Sequence, residues 1–187
     1  MSKMLTQART MCPELKEAVK ELDSLAYQRQ YDTVFRDLID WMIWEHQYPP
    51  TDEHPLKARK YNEEEIKRFL NIYKNIQEEI RERTLLWADE VDDSKTFYDG
   101  LGRMYELITS GYKSSMLGQY FTPEPVVEFM TSILNIGSRD KFERVLDPAC
   151  GSGRMGLCAA SHAHKKGTMV WVTMNDCGQH GFAWSSW

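Results

Sequence analysis

The stretch Val145-Leu146-Asp147-Pro148-Ala149-Cys150-Gly151-Ser152-Gly153 decides the fold. Val145 and Leu146, with Phe142 shortly before them, form a short apolar run that is typical of a buried strand. Asp147 and Pro148 end that run, and the glycines that follow allow the backbone to turn sharply into another element. The stretch therefore predicts a strand that leads into a glycine-rich turn.

The residues after this turn predict a helix and a second strand. Residues 154 to 164 have a helical pattern, and Gly167 is a favourable residue just past the end of a helix. The apolar run 169–173 then predicts a strand, which ends shortly before Asp176. A strand, a glycine turn, a helix, a strand and an acidic residue together are the opening of a doubly wound α/β sheet of the Rossmann-like class.

A helix is predicted directly before the first strand. Thr122 is expected to cap it, Pro123 to take its first position, and Glu124 to lie in its first turn. The helix is expected to end near Gly137. Its predicted buried residues are Val126, Val127, Met130, Ile133 and Leu134.

The first hundred or so residues are predicted to be helical, because apolar residues recur there with a period of 3.6. One stripe comprises Tyr31, Val34, Phe35, Leu38, Ile39 and Met42, and another comprises Ile66, Phe69, Leu70, Tyr73, Ile76 and Ile80. A third helix is expected over residues 95–113. We interpret the stripes as contacts between helices rather than as ligand sites. The sequence thus predicts a helical domain over 1–115 and an α/β domain over 116–187.

Length, composition and charge narrow the class of protein. The chain has 187 residues, of which 42% are hydrophobic, so it should bury a core. No run of about 18 apolar residues occurs, which predicts a soluble, cytoplasmic protein without a membrane span. Residues 1–120 contain 22 acidic and 17 basic side chains, and residues 121–187 contain 6 of each. Nucleic-acid affinity depends on clustered Lys and Arg, so the main docking surface for a DNA partner is not expected here.

The glycine turn predicts a ligand site. Backbone N–H groups at the start of a helix can bind an anionic or zwitterionic ligand, although tight packing alone also uses such glycines. The glycines at 151, 153 and 156, followed by Asp176, also fit the spacing of a nicotinamide dinucleotide site. Asp147, however, lies where it could receive an ammonium group and would repel a pyrophosphate. We therefore favour S-adenosylmethionine as the ligand.

Three stretches together resemble a known family. They are Asp99-Gly100-Leu101-Gly102-Arg103-Met104-Tyr105-Glu106, then Gly118-Gln119-Tyr120-Phe121-Thr122-Pro123, then Val145 to Gly153. In this order they resemble the N6-adenine DNA methyltransferases, in particular the modification subunits of type I restriction systems and their single-chain relatives. The resemblance covers roughly residues 96 to 176. It implies an S-adenosylmethionine-dependent enzyme that methylates DNA, together with specificity and restriction subunits as partners.

The resemblance also implies which residues bind the cofactor. Residues 119 to 124 would wrap its methionine end, with the Thr122 hydroxyl near the carboxylate. Asp147 would hold the amino group directly or through water, and Asp176 would accept the ribose hydroxyls. The glycines of the turn would let the backbone approach the cofactor. The full set is Gln119, Tyr120, Phe121, Thr122, Pro123, Glu124, Asp147, Pro148, Ala149, Cys150, Gly151, Ser152, Gly153 and Asp176. Tyr120 and Phe121 could instead be aromatic core residues.

One part of the family pattern is missing. Adenine methylation in this family uses an Asn/Asp/Ser-Pro-Pro-aromatic tetrad, in which the polar group and a proline carbonyl bind the amino group of a flipped base. The chain's Pro-Pro pair, Tyr48-Pro49-Pro50-Thr51, lacks the leading polar residue. We therefore assign no catalytic residue and expect a truncated methyltransferase domain, so contact with DNA would depend largely on missing parts. An inactive remnant or an interaction module stays an alternative.

Cysteine and histidine side chains allow two further hypotheses. Cys158 and His162 lie four residues apart, and with Cys177 and His180 they could form a zinc site, although the spacing does not require one. We predict no metal. Cys150 could be a reactive thiol near a helix start, but we favour a small residue that contacts the cofactor.

Overall fold

The computed structural model describes residues 3–47, 53–83, 97–109, 121–138 and 141–175. Its contacts divide the chain into two compact units. The first comprises Met1–Glu79 and Arg103–Met116, and the second comprises Ile80–Gly102 and Leu117–Trp187. The domain boundary at residue 115 stays a prediction. No helix in the described ranges is both long and apolar enough to span a bilayer.

The first unit is built from helices. In chain order the elements are α1 (Lys3–Met11), a 3-10 turn (Pro13–Leu15), α2 (Lys16–Leu25), α3 (Tyr31–Glu45), α4 (Pro55–Ala58) and α5 (Glu63–Arg83), whose last residues fall in the second unit. The predicted stripes supply part of the core, since Val34, Leu38, Phe69 and Ile76 are buried. Ile72, which was not in the predicted stripe, is also buried, whereas the stripe residue Leu70 is exposed. Both long helices predicted from the 3.6-residue period are therefore confirmed.

The predicted helix over 95–113 is shorter among the described residues. It is α6 (Gly100–Thr109), and residues 95, 96 and 110–113 lie outside the described part of the chain. Asp99 lies directly before the first helical residue, and its Oδ1 accepts a hydrogen bond from the Gly102 N–H at 2.8 Å. Such a bond satisfies one of the N–H groups that a helix start leaves without an intrahelical partner.

The second unit contains the predicted α/β unit. Its elements are α7 (Glu124–Leu134), β1 (Phe142–Asp147), α8 (Arg154–Lys165) and β2 (Met169–Met174). The strands β1 and β2 pair in parallel, with Phe142 opposite Met169 and Asp147 opposite Met174. The order of strand, glycine turn, helix and parallel strand confirms an α/β arrangement. A complete Rossmann-like methyltransferase sheet stays a prediction, because the described sheet has two strands.

Helix α8 covers one face of the sheet. Ala159 and Ala163 pack with Ile136 and with the inward side chains Val145 and Val170. A second small core joins Phe97, Val127 and Cys158, with Met155 packed against it. Every second residue of each strand points to the opposite face, where the large apolar side chains Phe142, Leu146, Met169 and Trp171 are exposed. Parallel sheets usually have both faces covered by other elements. In the described part of this sheet, only the face that packs against α8 is covered.

Three predictions about α7 are wrong. The helix begins at Glu124, so Pro123 takes the capping position rather than the first helical position. No described side chain caps the helix, whereas Thr122 was expected to do so. The Pro123 carbonyl accepts the first backbone hydrogen bonds instead. Of the five residues predicted to be buried, only Val127 is, while Val126, Met130, Ile133 and Leu134 are exposed. The apolar pattern identified the helix correctly. The helix, however, has more apolar side chains than the other described elements bury.

Candidate cofactor-binding site

Asp147 closes β1 and has one carboxylate oxygen available. Its Oδ1 accepts a hydrogen bond from the Ala149 N–H at 3.2 Å, and its backbone carbonyl accepts one from the Asn175 N–H at 2.8 Å. Within the described residues, Oδ2 is buried and has no hydrogen-bond partner. A buried polar atom of this kind needs an explanation, and a ligand with N–H groups can supply the missing bond. Asp147 therefore both shapes the turn and presents an acceptor.

The glycine turn is held against the ends of both strands. The Cys150 N–H donates to the Asn175 carbonyl at 2.9 Å, and the Gly153 N–H donates to the Cys150 carbonyl at 2.8 Å. Gly151 and Gly153 have φ angles of 51° and 81°, in the left-handed region that favours glycine. A Cβ at Gly151 would have no atom of the described residues within 4 Å, whereas one at Gly153 would lie 3.4 Å from the Met174 sulfur. The turn thus leaves open space beside Gly151.

Helix α8 starts directly after this turn. Gly153 is its capping residue and makes no side-chain cap hydrogen bond, and the first turn contains no acidic residue. The first N–H groups of a helix lack intrahelical partners and carry partial positive charge, which favours an anionic group nearby. Of the remaining predicted turn residues, Pro148 and Ala149 are exposed, Ser152 is half-buried and Cys150 is 7% exposed.

The predicted upstream segment is partly described. Phe121 and Glu124 are half-buried, and Thr122 and Pro123 are exposed. The Thr122 carbonyl accepts a hydrogen bond from Arg154 Nη1 at 3.0 Å, so the structure joins this segment to the first residue of α8. The Thr122 hydroxyl contact with a cofactor carboxylate stays a prediction. Gln119, Tyr120 and Asp176 lie outside the described residues.

Asp99 and Arg154 form a buried ion pair, and the sequence analysis assigned neither residue a functional role. Arg154 Nε donates to Asp99 Oδ2 at 2.9 Å, and the two side chains are 6% and 3% exposed. The two residues are 55 positions apart, so no local pattern reveals the pair. The spacing Asp99-Gly100-Leu101-Gly102 was the available signal, because a Cβ on Gly102 would lie 2.0 Å from Asp99 Oδ2. That glycine is required by the folded-back carboxylate.

The two described cysteines of this unit, Cys150 and Cys158, are buried. Burial raises the pKa of the Cys158 thiol to about 11, and it lowers the pKa of His162, with Lys165 and Lys166 adding to that decrease. A protonated, buried thiol is a poor nucleophile and a poor metal ligand. No group of three or more His, Cys, Asp or Glu side chains that could hold a metal occurs among the described residues. Cys177 and His180, the other half of the zinc hypothesis, lie outside them.

Known proteins resemble the region that contains this site. Residues 96–180 match the family model described as N-6 DNA Methylase. The type I restriction enzyme MjaVII methylase subunit of Methanocaldococcus jannaschii is 39% identical over 69 residues, which is 36% of this chain and 11% of that protein. The match thus spans about a tenth of that relative's length. No solved structure matches the chain significantly. These matches confirm the resemblance predicted from the three sequence stretches.

Proposed function

We propose that this chain, which resembles the N6 DNA methyltransferases over residues 96–180, binds S-adenosylmethionine at the glycine turn between β1 and α8. The full reaction would transfer a methyl group to N6 of adenine in DNA. Specificity and restriction subunits are the proposed partners, because the relative named above is a type I methylase subunit. We place this activity in the cytoplasm.

The buried oxygen Oδ2 of Asp147 is the observation that carries the proposal. It lies at the carboxyl end of β1, where ligands of open α/β sheets bind, and it has no hydrogen-bond partner among the described residues. An acceptor-only carboxylate oxygen fits the ammonium group of an amino-acid tail. The same oxygen would repel a pyrophosphate, so the arrangement supports S-adenosylmethionine over a nicotinamide dinucleotide.

The residues of the turn fit the rest of such a ligand. Open space beside Gly151 allows close approach to the backbone, and the start of α8 provides N–H groups for a carboxylate. Residues 119 to 124 would enclose the methionine end, and Asp176 would accept the ribose hydroxyls. When bound, the cofactor supplies an activated methyl group on a sulfonium. The contribution of this chain would be to fix the position and orientation of that donor.

The adenine-binding step is proposed for the complete enzyme rather than for residues of this chain. The polar-Pro-Pro-aromatic tetrad of the family does not occur in the sequence. We therefore assign no catalytic residue here and limit the proposed role of the chain to holding the cofactor.

Isothermal titration calorimetry with S-adenosylmethionine tests the cofactor assignment. We compare the wild type with Asp147→Asn, which keeps the size of the side chain but removes its charge. A hydrogen bond to a charged group contributes about 1.5–3 kcal/mol, so Asp147→Asn should weaken binding about 10- to 150-fold. Glu78→Gln makes the same charge change on an exposed residue of α5 and should leave the affinity unchanged.

Two results would contradict the proposal. Equal affinities of the wild type and Asp147→Asn would show that Asp147 does not contact the ligand. Binding of NADH without binding of S-adenosylmethionine would favour the nicotinamide dinucleotide alternative. Each titration is accompanied by a thermal unfolding curve, so that loss of folded protein is not mistaken for loss of affinity.

A further inference from the structure

One buried guanidinium connects the three stretches on which the family resemblance depends. Arg154 is the first residue of α8 and follows the glycine turn directly. Its Nε donates to Asp99 at 2.9 Å and its Nη1 donates to the Thr122 carbonyl at 3.0 Å. Its Cζ also lies 5.4 Å from the centre of the Phe121 ring. Residues from the first two stretches therefore meet at the side chain of Arg154, which directly follows the third stretch.

The carboxylate of Asp99 is fully engaged in this arrangement. Oδ1 accepts from the Gly102 N–H at 2.8 Å, and Oδ2 accepts from Arg154. The absence of a Cβ at Gly102 leaves room for the carboxylate to fold back in this way. The start of α6 consequently fixes the position of the acid, and the acid fixes the orientation of the guanidinium.

A buried ion pair of this kind is poorly explained by stability alone. Removing two charges from water costs several kcal/mol per ion, and apolar residues of similar volume are often as stable or more stable. The guanidinium does provide a rigid, planar set of donors that can hold two acceptors in a fixed relation. Here the two acceptors are a buried carboxylate and the backbone of residues 121–123. The pair is thus better suited to fixing the position of that backbone than to general stabilisation.

We infer that Arg154, oriented by Asp99, is a positioning residue that holds the segment Phe121-Thr122-Pro123 against the glycine turn. The inference rests on the proposed function, in which this segment contacts the amino-acid end of the cofactor. The ammonium and carboxylate of that end would then lie between two backbone segments that Arg154 connects. Arg154 itself need not touch the ligand.

This role predicts a selective effect on two ligands. S-adenosylmethionine has an adenosine part and an amino-acid end, whereas 5′-methylthioadenosine keeps the adenosine part and lacks the amino acid. Loss of the connection at Thr122 should displace the segment that binds the amino-acid end. It should weaken the first ligand strongly and the second little. A purely structural role would change both affinities by the same factor or change neither.

The experiment is calorimetry of both ligands with the full chain and the variant Arg154→Lys. Lysine keeps the charge near Asp99 but lacks the planar set of donors needed to hold Asp99 and the Thr122 carbonyl together. We expect S-adenosylmethionine to bind about tenfold more weakly and 5′-methylthioadenosine to change by less than about threefold, since the loss of one charge-assisted hydrogen bond corresponds to about tenfold or more. Equal changes for both ligands would overturn the inference.

Arg103→Lys is the matched control. Arg103 belongs to the same sequence stretch as Asp99 and pairs with Glu14, whose side chain is 8% exposed, at 3.2 Å. The substitution therefore weakens another pairing with a largely buried acid, but one that does not involve the cofactor segment. Both ligand affinities should stay at the wild-type values.

Hydrogen exchange of the ligand-free protein keeps the inference testable if calorimetry fails. In Arg154→Lys, the amides of residues 121, 122 and 124 should exchange faster, while those within β1 and α8 keep their wild-type protection. Unchanged exchange in that segment would overturn the inference, and so would faster exchange throughout the unit. If the wild type binds neither ligand, the proposed function is wrong, whereas the exchange result still decides whether Arg154 positions the segment.

Discussion

Both ends of α8 have glycines with positive φ angles, but the two ends differ in how the nearby polar groups are hydrogen-bonded. At the carboxyl end, Gly167 has a φ of 67° and its N–H donates to the His164 carbonyl at 3.0 Å. Lys166 Nζ donates to the Ile136 carbonyl at 2.8 Å, and the Thr168 hydroxyl donates to the Gly137 carbonyl at 3.0 Å. Side-chain and backbone groups of the protein thus form hydrogen bonds with each other at this end of the helix.

At the amino end of α8, one buried polar atom has no hydrogen-bond partner among the described residues. This end also turns through glycines with positive φ, at Gly151 and Gly153. Open space beside a glycine does not distinguish the two ends, because a Cβ at Gly167 would also lie more than 4 Å from every other described atom. What distinguishes them is the buried Oδ2 of Asp147, which has no hydrogen-bond partner in the described part of the chain. A glycine turn with positive φ can therefore either be closed by bonds within the protein, as at Gly167, or lie beside a free acceptor, as at Asp147.

Gly137→Ala should have the largest effect on stability at the carboxyl end of α8. Gly137 has a φ of 82°, and its added Cβ would lie 3.1 Å from Ala163 Cα and from Lys166 Cβ. Strain of about 1–2 kcal/mol from the backbone and about 1–3 kcal/mol from the close contacts should lower the free energy of unfolding by about 2–5 kcal/mol. Urea denaturation followed by circular dichroism measures this loss.

The control for this substitution is Gly167→Ala. It introduces similar backbone strain without a close contact, so it should cost about 1–2 kcal/mol. Equal losses for the two variants would show that the contacts at Ala163 and Lys166 are relieved by small shifts. The packing around Gly137 at the carboxyl end of α8 would then have room for an added methyl group.

The sequence was sufficient to predict the strand, turn, helix and strand of this unit because each boundary has a local chemical cause. The run of apolar residues ends at Asp147, the turn requires glycine, and Gly167 ends the helix with positive φ. These signals lie within a few residues of the structure that they specify. They therefore predicted β1, α8, β2 and the glycine turn correctly.

The wrong and missing predictions concern relations between distant residues. The apolar residues of α7 predicted burial, but burial depends on a partner surface, which a periodic pattern does not identify. Thr122 was expected to act through its hydroxyl as a cap, whereas its carbonyl is the group bonded to Arg154. The pairing of Asp99 with Arg154 has no periodic signal, because it depends on how the chain folds back. The site was therefore predictable in its local turn and not in its supporting contacts.

Gly151→Ala should separate the two ends by ligand affinity. Gly151 and Gly167 have similar φ angles, 51° and 67°, and no atom in the described part of the chain lies within 4 Å of either Cβ position. Both alanine variants should therefore lose a similar amount of stability. Only Gly151→Ala places a methyl group where the ligand backbone contact is proposed, so it should weaken S-adenosylmethionine binding about tenfold, a loss of about 1.4 kcal/mol. Calorimetry at a temperature where both variants are folded measures the difference.

Two outcomes would contradict this difference between the two ends of α8. If Gly167→Ala weakens binding as much as Gly151→Ala does, the affinity depends on the general stability of α8 rather than on space beside the turn. If neither variant changes the affinity, the ligand does not approach the backbone at Gly151, and the turn serves packing alone.

The smallest expected effect is a dependence of the free energy of unfolding on pH through His162, near the carboxyl end of α8. His162 lies in the last turns of α8, where burial lowers its pKa and the charges of Lys165 and Lys166 lower it further, while Glu128 opposes this change. Because the pKa in the folded state is below the unfolded value of about 6.5, the unfolded chain takes up the proton first as the pH falls. The stability attributable to His162 is fully present above about pH 6.5 and decreases as the pH falls towards the folded pKa.

Urea denaturation at pH 7.5 and pH 5.5 tests this dependence by comparing the wild type with His162→Gln. The substitution removes the titrating group, so the decrease in the free energy of unfolding between the two pH values should be smaller than in the wild type. His164→Gln, at an exposed position on the same helix, should retain the wild-type decrease. An unchanged decrease in His162→Gln would mean that other groups cause it, and a decrease reduced equally in both variants would mean that it is not specific to His162. Because His162 lies at the opposite end of α8 from the glycine turn, its substitution should leave the S-adenosylmethionine affinity at pH 7.5 unchanged.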